Sequence, residues 1–585
     1  MTVSVSIATN LAPRFHSNVR AGVPEVNGFS TSCNTTSPGW APSHSREEDI
    51  QSPLSESAHN QWPLPREPRR VAINQDLVAK MPFFMDYYKM TMAPAMVFID
   101  GPTNPFRDHI MDLAANSQSL QHAICALAAC NLRMKRKLSL GQGTRELYEK
   151  LILEKQSMEN LGDSLPQDPA LAEEIQHRNL AVHLLNQQLN DPIKSSHDSV
   201  LATILILCHY RMAESGIAKF HTQFAGVKKI LAMRRPQQFG GSSEDVAWME
   251  SIFVYFDAIS ASINDREAQL SPSNGAGSRD GQLLPPGSEN LVGCDRELFK
   301  TISKLGRLNM LSQHRPVQNM ANSAGATGMG GSSGRRQGHG YSDSVSSVGS
   351  LRGGTQSLGD ILALPTPAPR FDGNGFGSTL DDDEVLTSAM STSAEYEDRR
   401  AIFWAEWKEA RQALQNWQFD AQAIAASLPD AKPSQIRDLE YLSEAFRYAA
   451  MLYTERLAGP STPSSNTNFQ NLVSQVVYYA TSLESNSMAE KFLLWPLFVA
   501  GSECVNELQQ NIVRSKCKDI MSRSGYMNNL AALDVLERLW AGDFRKGLEF
   551  QLYGEQSLKN SGGRGPFNWA KCFGGPGAGV EWIMF

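Results

Sequence analysis

The sequence predicts an all-α fold, and three observations carry the prediction. Apolar residues recur with the period of a helix face through two long stretches, about 71–268 and 395–585. No stretch shows the sustained period-two alternation that a half-buried sheet requires. The residues that break regular structure gather in tails and linkers and are not spread between short strands. The expected architecture is a multi-helix domain of packed antiparallel helices, with a disordered N-terminal tail and a long Gly/Ser-rich insertion.

Composition bounds the chemistry. Of 585 residues, 41% are hydrophobic and 20% charged, enough to bury a large core. A formal net charge of -7 gives no general attraction to nucleic acid or anionic membrane, so any such contact needs a local basic patch. The eight cysteines are scattered at 33, 125, 130, 208, 294, 504, 517 and 572 with no Cys-x-x-Cys pair, which fits reduced thiols inside a cell. Arg14 and Arg20 in an acid-free start have a trace of transit-peptide composition, but a Ser/Pro-rich tail is the preferred reading. No uninterrupted apolar run approaches the ~18 residues that span a bilayer, so no membrane association is expected.

Residues 1–70 are rich in Ser, Pro, Asn and Thr and show no periodicity, which predicts disorder. They end in PLPREPRR, whose Arg66, Arg69 and Arg70 are the candidates for nuclear import or phosphate contact. Residues 71–268 form the first helical half. In LQHAICALAACNL, Leu120, Ala123, Ile124, Leu127 and Ala128 share one helix face. The basic run RMKRK that follows (Arg133, Lys135, Arg136, Lys137) falls at a helix C-terminus, where cations offset the macrodipole, and is read as structural. In SHDSVLATILILCHYRM, Ser196 and Asp198 are start signals, and Val200, Leu201, Ile204, Leu205, Leu207 and Cys208 cover more than one face, predicting a central, buried helix.

Residues 269–312 read as loop plus one short amphipathic helix in RELFKTISKLGRLNML, striped by Leu298, Phe299, Ile302, Leu305 and Leu308. Residues 313–394 are a low-complexity linker that cannot bury enough apolar surface to offset ordering entropy. Residues 395–585 form the second helical half, with stripes at Ile436, Leu439, Leu442, Phe446 and Tyr453 and at Leu530, Leu533, Leu536 and Trp540. Within it KFLLWPLFVAGSEC is the most apolar stretch of the chain. Pro496 fits the first turn of a helix or a kink, which directs Leu494, Leu497, Phe498 and Cys504 to the core and sets Trp495 near the entry. Glu503 is expected to be exposed or locally paired.

No catalytic, cofactor or metal constellation stands out, so the chain is read as a non-enzyme without cofactors. Gly330-Gly331-Ser332-Ser333-Gly334 matches G-x-S-x-G, but in low-complexity sequence without the strand and helix of a nucleophile elbow. His177 and His183 are six apart, not the four that put two zinc ligands on one helical face. Cys125 and Cys130 read as small core residues. The glycines of CFGGPGAGV lack the strand, lysine and helix of a phosphate loop.

Several segments, in order, resemble the fungal-specific transcription factor domain, the helical regulatory region of fungal zinc-cluster factors. MDYYKMTMAPAMVFIDGPTNPFRDHIMDLAANSQSLQHAICALAACNL is similar to its opening, and HDSVLATILILCHYRMAESGIAKFHTQFAGVKKIL to its next helical pair. AFRYAAMLYTERL, LLWPLFVAGSEC, ALDVLERLW and NWAKCFGGPGAGVEWIMF resemble later parts. The resemblance implies a nuclear regulator of transcription acting through transcriptional proteins, with a homodimer or a zinc-cluster protein as partner and a small apolar effector between helices. It departs from the family at its start. The zinc cluster needs six cysteines, and before residue 77 there is only Cys33, so DNA is expected to be reached indirectly or through a missing N-terminal module. Asp381, Asp382, Asp383 and Glu384 support an alternative, an all-α Mg²⁺-dependent enzyme similar to terpene synthases, although the facing N-x-x-x-S-x-x-x-E motif is not found. A helical interaction scaffold is a third reading.

Overall fold

Proline and asparagine set the entry of the chain into the fold. In the computed structural model, which describes residues 75–139, 143–161, 166, 168–234, 244–270, 283–315, 317, 393–542 and 581–584, the first helix is α1 (Gln75–Tyr87). Pro82 inside it has no N–H to donate, and the helix loosens into a π-turn (Tyr88–Met92) before one last turn, α2 (Ala93–Ala95). Asn104 then folds the NPFR turn. Its Nδ2 donates to the Ala93 carbonyl at 2.9 Å, and its Oδ1 accepts from the Phe106 N–H at 3.0 Å.

The described elements continue as α3 (Asp108–Ala115), α4 (Gln118–Ser139), α5 (Thr144–Leu161), α6 (Pro169–Leu189), α7 (Asp198–Glu214), β1 (Ile217–Ala218), α8 (Phe220–Arg234) and α9 (Glu244–Ile263). After these come α10 (Glu289–Val292), α11 (Arg296–Ile302), α12 (Leu305–Ser312), α13 (Ser393–Asn416), α14 (Ala421–Ser427), α15 (Pro433–Ala458) and α16 (Thr467–Ser482). A 3₁₀ segment (Met488–Leu493), α17 (Leu494–Ser502), α18 (Glu507–Ser524), α19 (Asn528–Trp540) and β2 (Glu581–Trp582) complete them. All belong to one compact unit, residues 71–585. The all-α class holds. Helix α4 packs on α6 and α7, and α15 packs on α16 and α17.

Helix α7 is buried at every position from Ser199 to Ala213, as its all-round apolar sequence requires. Its cap differs from the expected one. His197 is the N-cap, its Nδ1 accepting from the Ser199 N–H at 3.2 Å, while Asp198 lies inside the first turn and pairs with Arg234. The single helix expected in RELFKTISKLGRLNML is two, α11 and α12, broken at Ser303 and Lys304. The five stripe residues are all buried nonetheless. The break seats Gly306 against α9, where a Cβ would lie 2.6 Å from the Arg266 carbonyl and 2.9 Å from Ala261 Cβ.

One further expectation is corrected. A sheet exists, although none was predicted: β1 and β2 pair antiparallel, Ile217 opposite Trp582 and Ala218 opposite Glu581. Strands of two residues are too short for alternation to register in sequence. Helix α9 also contains an 18-residue window, Val246–Ile263, long and apolar enough to cross a membrane at mean hydropathy 1.3. That window is 83% buried, so its apolar character is spent on the protein core.

The RMKRK run packs as a structural element. Arg133 makes a two-pronged pair with Glu174 (Nε to Oε2 2.6 Å, Nη2 to Oε1 3.0 Å) and a third contact with Glu154 at 3.1 Å; Lys137 also pairs with Glu154. These bonds tie α4 to α5 and α6. The six described cysteines, Cys125, Cys130, Cys208, Cys294, Cys504 and Cys517, are free and buried. Arg66, Arg69, Arg70, Cys33, Cys572, Gly330–Gly334 and Asp381–Glu384 lie outside the described residues, as do the tail and most of the 313–394 linker.

Candidate functional site

The WPLF segment follows the 3₁₀ turn and lies within α17, with Pro496 in the first helical turn. Leu494, Leu497, Phe498 and Cys504 are buried as expected, and Trp495, second residue of the helix, packs at its entry and is fully buried at 0% exposure. Its indole stacks on Phe446 of α15 (centroids 5.6 Å apart, planes at 11°), and Tyr453 tilts against it at 6.4 Å. The Trp495 Nε1–H donates to Ser262 Oγ of α9 at 2.9 Å, and the Tyr453 hydroxyl donates to the Ser262 carbonyl. One serine therefore satisfies both polar tips of an otherwise apolar cluster.

Phe498, one turn on, meets the Trp582 ring edge to face at 5.6 Å. Around Trp582 the end of α9 and the turn that follows it supply the polar border. Asn264, Ser260 and Arg266 hold β2, and Asp257 pairs with Arg266 at 2.5 Å while accepting from the Leu270 N–H at 2.7 Å. Burial pushes the Asp257 carboxyl up, opposed by Arg266 and those hydrogen bonds. Gly216 completes the wall with φ +74°. A Cβ there would lie 2.5 Å from Asn528 Cβ and 2.8 Å from Trp582 Nε1. Gly216→Ala is expected to lose about 1–2 kcal/mol from the left-handed backbone alone, with the Asn528 clash added to it. Denaturant titration measures the loss, and faster hydrogen exchange at the Ile583 amide, which bonds the Gly216 carbonyl at 3.2 Å, locates it.

Glu503 is neither exposed nor locally paired. It is 3% exposed and held in a two-pronged pair with Arg456 of α15 (Nε to Oε1 2.6 Å, Nη2 to Oε2 2.5 Å). Arg456 lies over the Phe469 ring at 4.5 Å and donates to the Thr462 carbonyl at 2.6 Å. Glu503 caps no chemistry at Cys504, whose thiol burial pushes up to about 12, far from a thiolate at neutral pH. Sequence reasoning missed Arg456, because its partner is 47 residues away on another helix.

The histidines form a different pair from the one weighed in sequence. His177 meets His122 of α4, Nδ1 to Nδ1 at 2.9 Å, against the edge of Phe84. His183 instead contacts Gln187. One ring of the His122–His177 pair must donate and the other accept, so the two cannot both be protonated while bonded. Burial, helped by His122 and Lys80, pushes His177 down to about 3. Burial lowers His122 as well, and burial beside Lys491 takes His209 down to about 3. Among the described residues no group of three or more His, Cys, Asp or Glu is placed to hold a metal ion.

These depressed values fix a sign. Above the unfolded value of about 6.5 both states are neutral and stability is complete. As pH falls from there toward 3, the unfolded chain takes protons that the folded one refuses, and each of His177 and His209 removes about 1.4 kcal/mol per pH unit. Urea midpoints should therefore hold level from pH 8 to 7 and fall steeply by pH 5; a flat profile would contradict the assignment.

The family model of the fungal specific transcription factor domain matches residues 83–574, well over half of the chain and including the WPLF cluster. No curated protein and no solved structure matches it.

Proposed function

Because the chain belongs to the fungal specific transcription factor domain family, we propose that it is a nuclear regulator of transcription that acts through protein partners and answers to a small apolar ligand held between its helices. The observation that carries the reading is the match over residues 83–574, which spans the helical elements on both sides of the linker. Among the partners, transcriptional proteins and a zinc-cluster protein bring the DNA contact, or a zinc-cluster module does so directly. The residues before 77 hold one cysteine, too few for that module. Arg66, Arg69 and Arg70 are the proposed import or phosphate-contact residues, and the chain carries out no catalysis of its own.

The ligand part of the proposal draws on the aromatic-rich helical interior, where Phe446, Tyr453, Trp495, Phe498 and Trp582 pack in contact and a ligand would enter by displacing one of those contacts. The experiment joins the full chain to a heterologous DNA-binding module and reads a reporter under the matching operator. A change in reporter output, together with nuclear accumulation lost in R66A/R69A/R70A, is the expected result. An unmoved reporter and cytoplasmic retention of the unaltered chain would defeat the reading.

A further inference from the structure

The Glu581–Met584 segment is held as a separate peptide would be held. Asn264 reads its main chain: Oδ1 accepts from the Trp582 N–H at 3.1 Å and Nδ2 donates to the Trp582 carbonyl at 2.8 Å. The Gly216 carbonyl accepts from the Ile583 N–H, extending the two-residue ladder with β1. This is the logic of strand addition, in which main-chain bonds give affinity and side-chain pockets give selectivity.

The pockets here ask for an acid, an aromatic and two aliphatic residues. Glu581 Oε1 lies 2.6 Å from Arg266 Nε and 3.7 Å from His221 Nδ1, and its Oε2 accepts from Ser260 Oγ at 3.3 Å. Trp582, Ile583 and Met584 are 1%, 0% and 1% exposed. Asp257 holds Arg266 from behind, so the guanidinium stays oriented whichever strand occupies the groove. Every one of these recognising groups belongs to the helical body, on α8, on α9, in the turn just after α9 or in the turn before β1.

Nothing in that set of contacts requires Glu581 to come from the same chain. Residues 543–580, 38 in number, separate β2 from the turn after α19. Fully extended they could span about 130 Å, whereas a unit of this size is only about 60 Å across. We propose that the groove accepts Glu581–Met584 from a second copy of this chain, so that two copies dimerise by reciprocal exchange of β2. The exchange is closed and symmetric, because each copy gives one strand and receives one. The tether gives the chain's own strand a high effective concentration, so exchange grows with protein concentration. The proposal rests on the groove and does not draw on the regulatory reading.

Two full-length variants with different tags test it. R266E makes a groove that repels its own strand, and E581R makes a strand that repels its own groove. Mixed, each groove meets an oppositely charged strand only across the two chains. The expected result is a one-to-one mixed dimer by light scattering, formed by neither variant alone; no mixed association overturns the proposal. A second measurement leaves the groove unaltered. A specific protease site placed within 543–580 is cut in the otherwise natural full chain, and a labelled Val-Glu-Trp-Ile-Met-Phe peptide is titrated in. Saturable uptake, weakened at least about tenfold when the peptide's Glu is replaced by Lys, supports exchange. Unfolding on cleavage, no uptake, or uptake indifferent to that replacement would overturn it.

Discussion

Arg456→Ala is expected to lower the unfolding free energy by about 3–5 kcal/mol, because it strands Glu503 in the interior without its counter-charge. Both side chains are nearly inaccessible, at 8% and 3%, so water cannot replace the missing partner. The change also uncovers the Thr462 carbonyl and removes the cation from the Phe469 face, which loosens the loop between α15 and α16. The size of the effect belongs to the broken pair more than to the intact one. Replacing both members by apolar residues of similar volume, R456M with E503L, should recover most of the loss, since neither desolvated charge then remains. Chemical denaturation of the two single variants and the double variant measures this. A double variant no more stable than the singles would show that the fold needs the loop contacts and not the charge balance.

Trp495→Ala is the second, at about 3–5 kcal/mol, and here the cost is a cavity. The indole fills the space between Phe446, Tyr453 and α9, and those neighbours belong to helices fixed elsewhere, so the hole cannot close. Trp495→Phe separates the terms. It keeps much of the stacking on Phe446 but leaves Ser262 Oγ without its donor, for an expected loss of about 1–2 kcal/mol. Thermal and urea unfolding of both variants read the two values; equal losses would mean that the hydrogen bond, not the volume, anchors the segment.

Sequence periodicity found the helices well where a whole face is apolar. Val200 through Cys208 read as a central helix, and Pro496 fits either the first turn of a helix or a kink, of which the first is found. It failed where the deciding contact is remote. Glu503 reads as exposed or locally paired because its partner Arg456 is 47 residues away, and the position of Trp495 at the helix entry does not reveal that its indole N–H goes to a serine 233 residues away. His177 was compared with His183 on its own helix, while its partner His122 sits 55 residues earlier on another. The acid, aromatic and aliphatic residues of EWIM were visible in the sequence, but two residue pairs of ladder carry no periodic signal. Binding features of this kind depend on pairs that only tertiary structure brings together.

The six buried cysteines have a practical consequence. A thiol held at 0–6% exposure, with burial raising its proton affinity, reacts with an alkylating reagent only when its surroundings open. Cys125 and Cys130 watch α4, Cys208 watches α7, Cys294 the approach to α11, Cys504 the end of α17 and Cys517 the middle of α18. With Cys33 and Cys572 changed to serine, the order in which these thiols become labelled by mass spectrometry would give a built-in clock for each part of the domain, timing which helices part first and which hold to the end.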